Sequence, residues 1–217
     1  FENMVPALSF SIGAARPSQD LARAGVQIAE KLEQDSHLNP DTRRALGQLY
    51  LRTSLLHSYY LGNTTGDYAE GLKYARKAIQ YFHETNNSRF DERRLDKLAM
   101  AQMRAGFACQ GLLRSEAALD FFQQMRSTAG LLGQSTNGMA QRGRQLGEWS
   151  QGLTGWTLLH MDKAEEALTN YLSPALRGTS NRVSNFETAV LDDVWDLRDG
   201  FDRSEEHTSE LQSPYVI

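Results

Sequence analysis

The side chains able to do chemistry are few and scattered. Five histidines (His37, His57, His83, His160 and His207) and one cysteine, Cys109, are the residue types best suited to acid–base, metal or nucleophilic work. A metal site needs ligands that converge, and no two of these histidines stand at helical spacing. They therefore read as isolated surface or half-buried side chains. Cys109 falls on an apolar helix face, where a buried, inert thiol is expected. No serine sits on a Gly-x-Ser-x-Gly elbow. Asp192, Asp193, Asp196 and Asp199, with Arg198 among them, read as a solvated acidic face at a helix start. Arg93, Arg94, Arg142 and Arg144 are interspersed with acids and form no basic stripe. No residue is assigned a catalytic role, no metal ligand is assigned, and no cofactor is expected.

Composition narrows the classes further. The chain has 217 residues, 23 Lys+Arg against 27 Asp+Glu, and 40% hydrophobic residues. That length is enough for a buried core. A formal charge of −4 gives no electrostatic case for nucleic acid or an anionic membrane. A single cysteine excludes an intrachain disulfide framework, and it fits either a cytoplasmic or an extracytoplasmic setting. The longest uncharged apolar stretch, Asn3 to Ala15, is interrupted by Pro6 and Gly13 and is too short to span a bilayer. Glu2 stands where a signal peptide has basic residues, so the chain reads as soluble. It starts at Phe1 rather than at a Met, so a fragment of a longer protein is expected.

Arg203 to Ser213 resembles the in-frame translation of a common short-read sequencing adapter, with an index barcode over Pro214–Val216. On that expectation residues 203–217 are a non-native tail. Removing one Arg and three Glu with it would bring the charge to −2, and His207 would drop out of the candidates.

The elements that must position any site are helical. Apolar residues recur at spacings of three and four almost throughout. Ser18 precedes the stripe Leu21, Ala22, Ala24, Gly25, Ile28, Leu32; Asn39-Pro40 opens a helix over about 40–61; Asp67 with Glu70 opens one to about 85. Asn86-Asn87-Ser88 is a break, and further helices fit about 90–111, 114–131, 138–160 and 162–172. Asp162 with Glu165 repeats the acid cap pair, and Ser173-Pro174 ends or kinks the last helix. The expected organisation is an irregular lead-in over 1–17, a helical repeat domain over 18–202, and the tail.

Internal repetition carries the most information. Gly106, Cys109, Ala118 and Phe122 recur forty-nine residues later as Gly155, Leu158, Ala167 and Tyr171. A small residue on the first helix and an Ala on the second let two helices cross closely, while the larger residues fill the space beside the crossing. Gly71 and Ala75 supply a weaker upstream copy on the second helix alone. This pattern resembles the tetratricopeptide repeat, with repeats of about 47–49 residues in place of the usual 34. The fold class expected is all-α, a tetratricopeptide-like α-solenoid of antiparallel helix pairs.

Residues 18–85 are similar to the start of the tetratricopeptide region carried C-terminally by many bacterial serine/threonine kinases. The stretches that carry the likeness are Leu21 to Leu32 and Tyr60 to Ala78, whose Gly-Asp turn precedes an Ala-rich helix. The resemblance implies a non-catalytic interaction module of a larger signalling protein, with a kinase domain and a transmembrane helix upstream. The kinase motifs themselves are absent, and Asp120-Phe-Phe122 is no Asp-Phe-Gly.

In such arrays the first helix of each pair lines a concave groove. Counting from Gly106 and Gly155, the positions facing it are Met100, Met103, Phe107 and Gln110, then Trp149, Trp156, Leu159 and His160. Met103, Phe107, Gln110, Trp149, Trp156 and His160 are the residues expected to hold a protein or peptide partner. Counted this way the groove has no Lys/Arg pair, which favours a hydrophobic or mixed partner over an acidic tail. Two other readings stay open: an all-helical enzyme, which needs an enclosed pocket with convergent acids, and a transcriptional-regulator arm, which needs a positive stripe.

Overall fold

The computed structural model describes residues 15–34, 38–58, 65–84, 91–136 and 138–172. Every described element is helical: α1 (Ala15–Leu32), α2 (Pro40–Ser58), α3 (Tyr68–Glu84), α4 (Glu92–Gly111), α5 (Ser115–Gly133), α6 (Met139–His160) and the short α7 (Ala164–Ala167), which runs on as a π-helical turn over Leu168–Leu172. The expected break at Asn86–Ser88, the acidic stretch from Asp192, His37, His207 and the 203–217 tail lie outside the described residues.

Local chemistry sets the helix starts. The backbone N–H of Thr42 donates to Asn39 Oδ1 at 2.8 Å, with Pro40 as the first helical residue. Glu70 N donates to Asp67 Oδ1 at 3.1 Å to open α3, and Arg94 N donates to Asp91 Oδ1 at 3.1 Å to open α4. Helix α1 begins at Ala15, earlier than Ser18 suggests, because Pro17 in a first turn gives up an N–H that has no intrahelical partner anyway. The expected Asp162–Glu165 cap pair does not form. Asp162 adopts φ 59°, and Lys163 stands at the cap with no side-chain bond.

That turn belongs to a series. Left-handed residues occur at Gly66, Leu113 and Asp162, with φ of 68°, 57° and 59°. They lie 47 and 49 residues apart, and each is followed by one residue and then a helix. Five positions after each comes a buried small residue, namely Gly71, Ala118 and Ala167. The second and third turns close alike. Arg114 N donates to Cys109 O at 2.8 Å and Lys163 N to Leu158 O at 3.0 Å, the long bond of a Schellman turn. Holding Leu113 left-handed costs about 1–2 kcal/mol where Gly would pay nothing.

Within each pair the helices run antiparallel. Gly47 on α2 meets Phe82 near the end of α3, while Gly71 near the start of α3 meets Ser58 at the end of α2. A Cβ on Gly71 would stand 2.6 Å from Ser58 Cβ, and one on Gly106 would stand 2.3 Å from Phe122 Cε1. The expected Gly106–Phe122 crossing of α4 and α5 is therefore present, with Cys109, Ala118 and Phe122 all fully buried. In the later copy Gly155, Leu158 and Ala167 are buried and Tyr171 is half-buried.

Alternate helices also touch. Helix α4 packs on α2 and on α6, and contacts such as Asp96–Arg142 and Gln110–Thr157, near opposite ends of α4, show that α4 and α6 run parallel. With α3 and α5 packed on it as well, α4 is enclosed, and every residue from Ala101 to Cys109 is buried. It joins two apolar clusters. One gathers Val26 and Ala29 of α1 with Leu46, Tyr50, Tyr74, Phe82 and Leu98. The other gathers Phe107, Phe122, Met125, Leu132 and Leu146. Fully burying a side chain such as Phe122 or Leu146 contributes about 1.5–3 kcal/mol each.

Candidate functional site

Helices α2, α4 and α6 share one face. On α4 the spacing of Lys97, Met100 and Arg104 puts them on a single stripe. They meet Gln48, Leu51, Arg52 and Leu55 of α2 around a cavity of about 70 Å³. Met100 also reaches α6, where Arg142 Nη2 lies 3.4 Å from its sulfur. Arg142 Nε donates to Asp96 Oδ1 at 2.9 Å, and its guanidinium sits 5.2 Å from the Trp149 ring centre. Lys97 pairs with Asp96 Oδ2 at 3.4 Å. The face thus offers an apolar floor (Leu51, Leu55, Met100), an aromatic side (Trp149) and several cations. Arg52, Lys97 and Arg104 stand around one cavity, which shares only Met100 with the groove positions counted from Gly106 and Gly155. They come together only through the α2–α4 packing, and counting from Gly106 and Gly155 had left α2 out.

The groove-facing positions counted from the sequence divide into four groups. Met103 and Phe107 are 5% and 8% exposed and belong to the core, Phe107 packing edge-on against Phe122 at 5.9 Å between ring centres. Their side chains pack into the core cluster rather than onto the shared face. The reason is the enclosure of α4 by α2, α3, α5 and α6. Gln110 ties two helices together, its Nε2 donating to Thr157 Oγ1 at 2.7 Å. Met100 and Trp149 are half-buried on the shared face. Trp156, Leu159 and His160 stand exposed at the far end of α6, with the Trp156 and His160 rings edge to face at 4.4 Å.

A second polar cluster lies where α1 meets α2 and α3. Glu33 accepts from Tyr50 Oη at 2.8 Å, from Tyr81 Oη at 2.9 Å and from Lys77 Nζ at 2.8 Å. Burial works to raise the Glu33 pKa, but the hydrogen bonds from Lys77, Tyr50 and Tyr81 and the Lys77 charge together hold it below the usual carboxylate range. Tyr50 is pushed up by burial and by its bond to Glu33, so it stays a phenol. A carboxylate with this many donors is a joint between helices rather than a free acid or base. Burial lowers the pKa of His57, which shares a hydrogen bond with Thr65 Oγ1 at 2.9 Å. Burial raises that of Cys109, which keeps the thiol protonated and unreactive at neutral pH.

Among the described residues no three His, Cys, Asp or Glu gather where they could hold a metal ion. No described helix is long and apolar enough to cross a membrane. No protein-family model, no curated protein and no solved structure matches this chain.

Proposed function

We propose that this chain is a non-catalytic helical-repeat module that captures a partner protein by seating an extended segment along the α2–α4–α6 face. The observation that carries the reading is this shared face of parallel helices, with a cavity at α2–α4 and Met100 continuing it to α6. The left-handed turns at 47- and 49-residue spacing support a tetratricopeptide-like solenoid, in which each pair of helices buries its apolar face on the next. The cavity volume of about 70 Å³ suits one side chain. Small-molecule sites commonly hold about 300–1,000 Å³. The resemblance of residues 18–85 to the repeat region of bacterial serine/threonine kinases suggests that the module serves a larger signalling protein.

The test is selection from a randomised displayed-peptide library on the full 217-residue chain. Gln48→Trp, which puts a large ring among the residues lining the cavity and leaves the charge unchanged, is the counter-target. Enriched peptides should bind the parent chain and lose binding to a folded Gln48→Trp variant. A library that yields no binder, or binders indifferent to the substitution, refutes the docking face.

A further inference from the structure

We infer that the α2–α4 cavity receives a carboxylate side chain, so that the partner segment is acidic with an apolar residue beside the acid. This inference rests on the docking role proposed above. Three of the described residues around the cavity are cations, Arg52, Lys97 and Arg104, and none of the described ones is a carboxylate. Arg104 is only 7% exposed, so its charge lies in a wall where water screens little and an anion within reach is held more strongly than at the open surface. Arg52 makes no ion pair among the described residues. Its planar guanidinium presents paired donors that match a carboxylate.

Asp96, next to Lys97 on α4, is already engaged. Its two oxygens hold Arg142 at 2.9 Å and Lys97 at 3.4 Å, and its side chain is 13% exposed. Asp96 therefore offsets those cations on the side toward α6, and Arg52 stands on the α2 side of the cavity. The overall charge of −4 does not forbid this, because a ligand in a cleft responds to the groups around it. That same negative total disfavours a nucleic acid, whose phosphates would meet the rest of the surface. The floor of Leu51, Leu55 and Met100 is apolar, which calls for an apolar side chain next to the acid.

Fluorescence anisotropy on the full chain tests this, using fluorescein-labelled peptides of about eight residues that alternate Glu with Leu, against Gln–Leu isosteres. The acidic peptide should bind, and the Gln isostere should bind at least about tenfold more weakly. Arg52→Glu and Lys97→Glu, each checked for a native melting transition, should each cost about tenfold, and added salt should weaken binding. Equal binding of both peptides, unchanged by either substitution but lost in Gln48→Trp, overturns the carboxylate pocket and leaves the docking face standing. No binding of either peptide to the parent chain overturns the pocket, and the library selection then decides the face independently. Labelled single-stranded DNA or polyphosphate that binds more tightly and displaces the peptide also overturns it, in favour of a general anion site.

Discussion

Replacing Gly106 by Ala adds one methyl group at the closest crossing of α4 and α5. The new Cβ would lie 2.3, 2.7 and 2.8 Å from Cε1, Cζ and Cδ1 of Phe122. Carbon atoms in contact sit about 3.5–4.0 Å apart, so the ring must retreat by roughly 1 Å or more. It has nowhere to go, because Phe122 is fully buried and backed by Phe107 at 5.9 Å. Overpacking of this kind costs about 1–3 kcal/mol. Ala in place of a helical Gly returns about 0.5–1 kcal/mol, which leaves a net loss of up to about 2.5 kcal/mol. Gly147 in α6 is the control: it is also mid-helix, and nothing lies within 4 Å of its Cβ position. Gly147→Ala should therefore stabilise by about 0.5–1 kcal/mol. Urea unfolding followed by circular dichroism reads both, and a double-mutant cycle with Phe122→Leu should show about 1–2 kcal/mol of coupling to Gly106→Ala. If Gly106→Ala is as stable as Gly147→Ala, or if Phe122→Leu fails to relieve it, the close-crossing argument is refuted.

Two further predictions concern stability. Glu33→Gln removes the charge that Lys77, Tyr50 and Tyr81 hold, and at pH 7 it should cost about 1–3 kcal/mol. Because the folded pKa of Glu33 is depressed, its contribution is complete above the unfolded value of about 4.3 and fades as pH falls through the folded one. The gap between parent and variant in urea melts should therefore close on acidification, and a constant gap down to the acid limit would contradict the assignment. Leu113→Gly should stabilise by up to about 1 kcal/mol, since Leu113 is 91% exposed and held at φ 57°. A lower melting temperature in that variant would show that Leu113 makes contacts its exposure denies.

The helices and their pairing were legible because periodicity and caps are local: Asn39, Asp67 and the Gly106–Phe122 spacing each declare themselves within a turn or two. The acid pair at Asp162 misled for a related reason. The residue closes α6 in a left-handed conformation, and nothing in the chemistry of Leu113, its counterpart, marks that conformation in sequence. Met103 and Phe107 were read as groove residues from their place on a first helix. Their burial follows from four neighbours around α4, which is a tertiary fact. The cations of the cavity were missed likewise, since Arg52 and Lys97 share a site only through parallel packing of helices two elements apart.

The central claim is that a partner segment lies on the α2–α4–α6 face. It is tested most directly by methyl spectra of the chain labelled at its six methionines and titrated with the acidic peptide. Met100 lines the cavity and touches Arg142, whereas Met125 is fully buried in the core. The account predicts a saturable shift of the Met100 methyl with Met125 unmoved. A stationary Met100 at saturating peptide would contradict it.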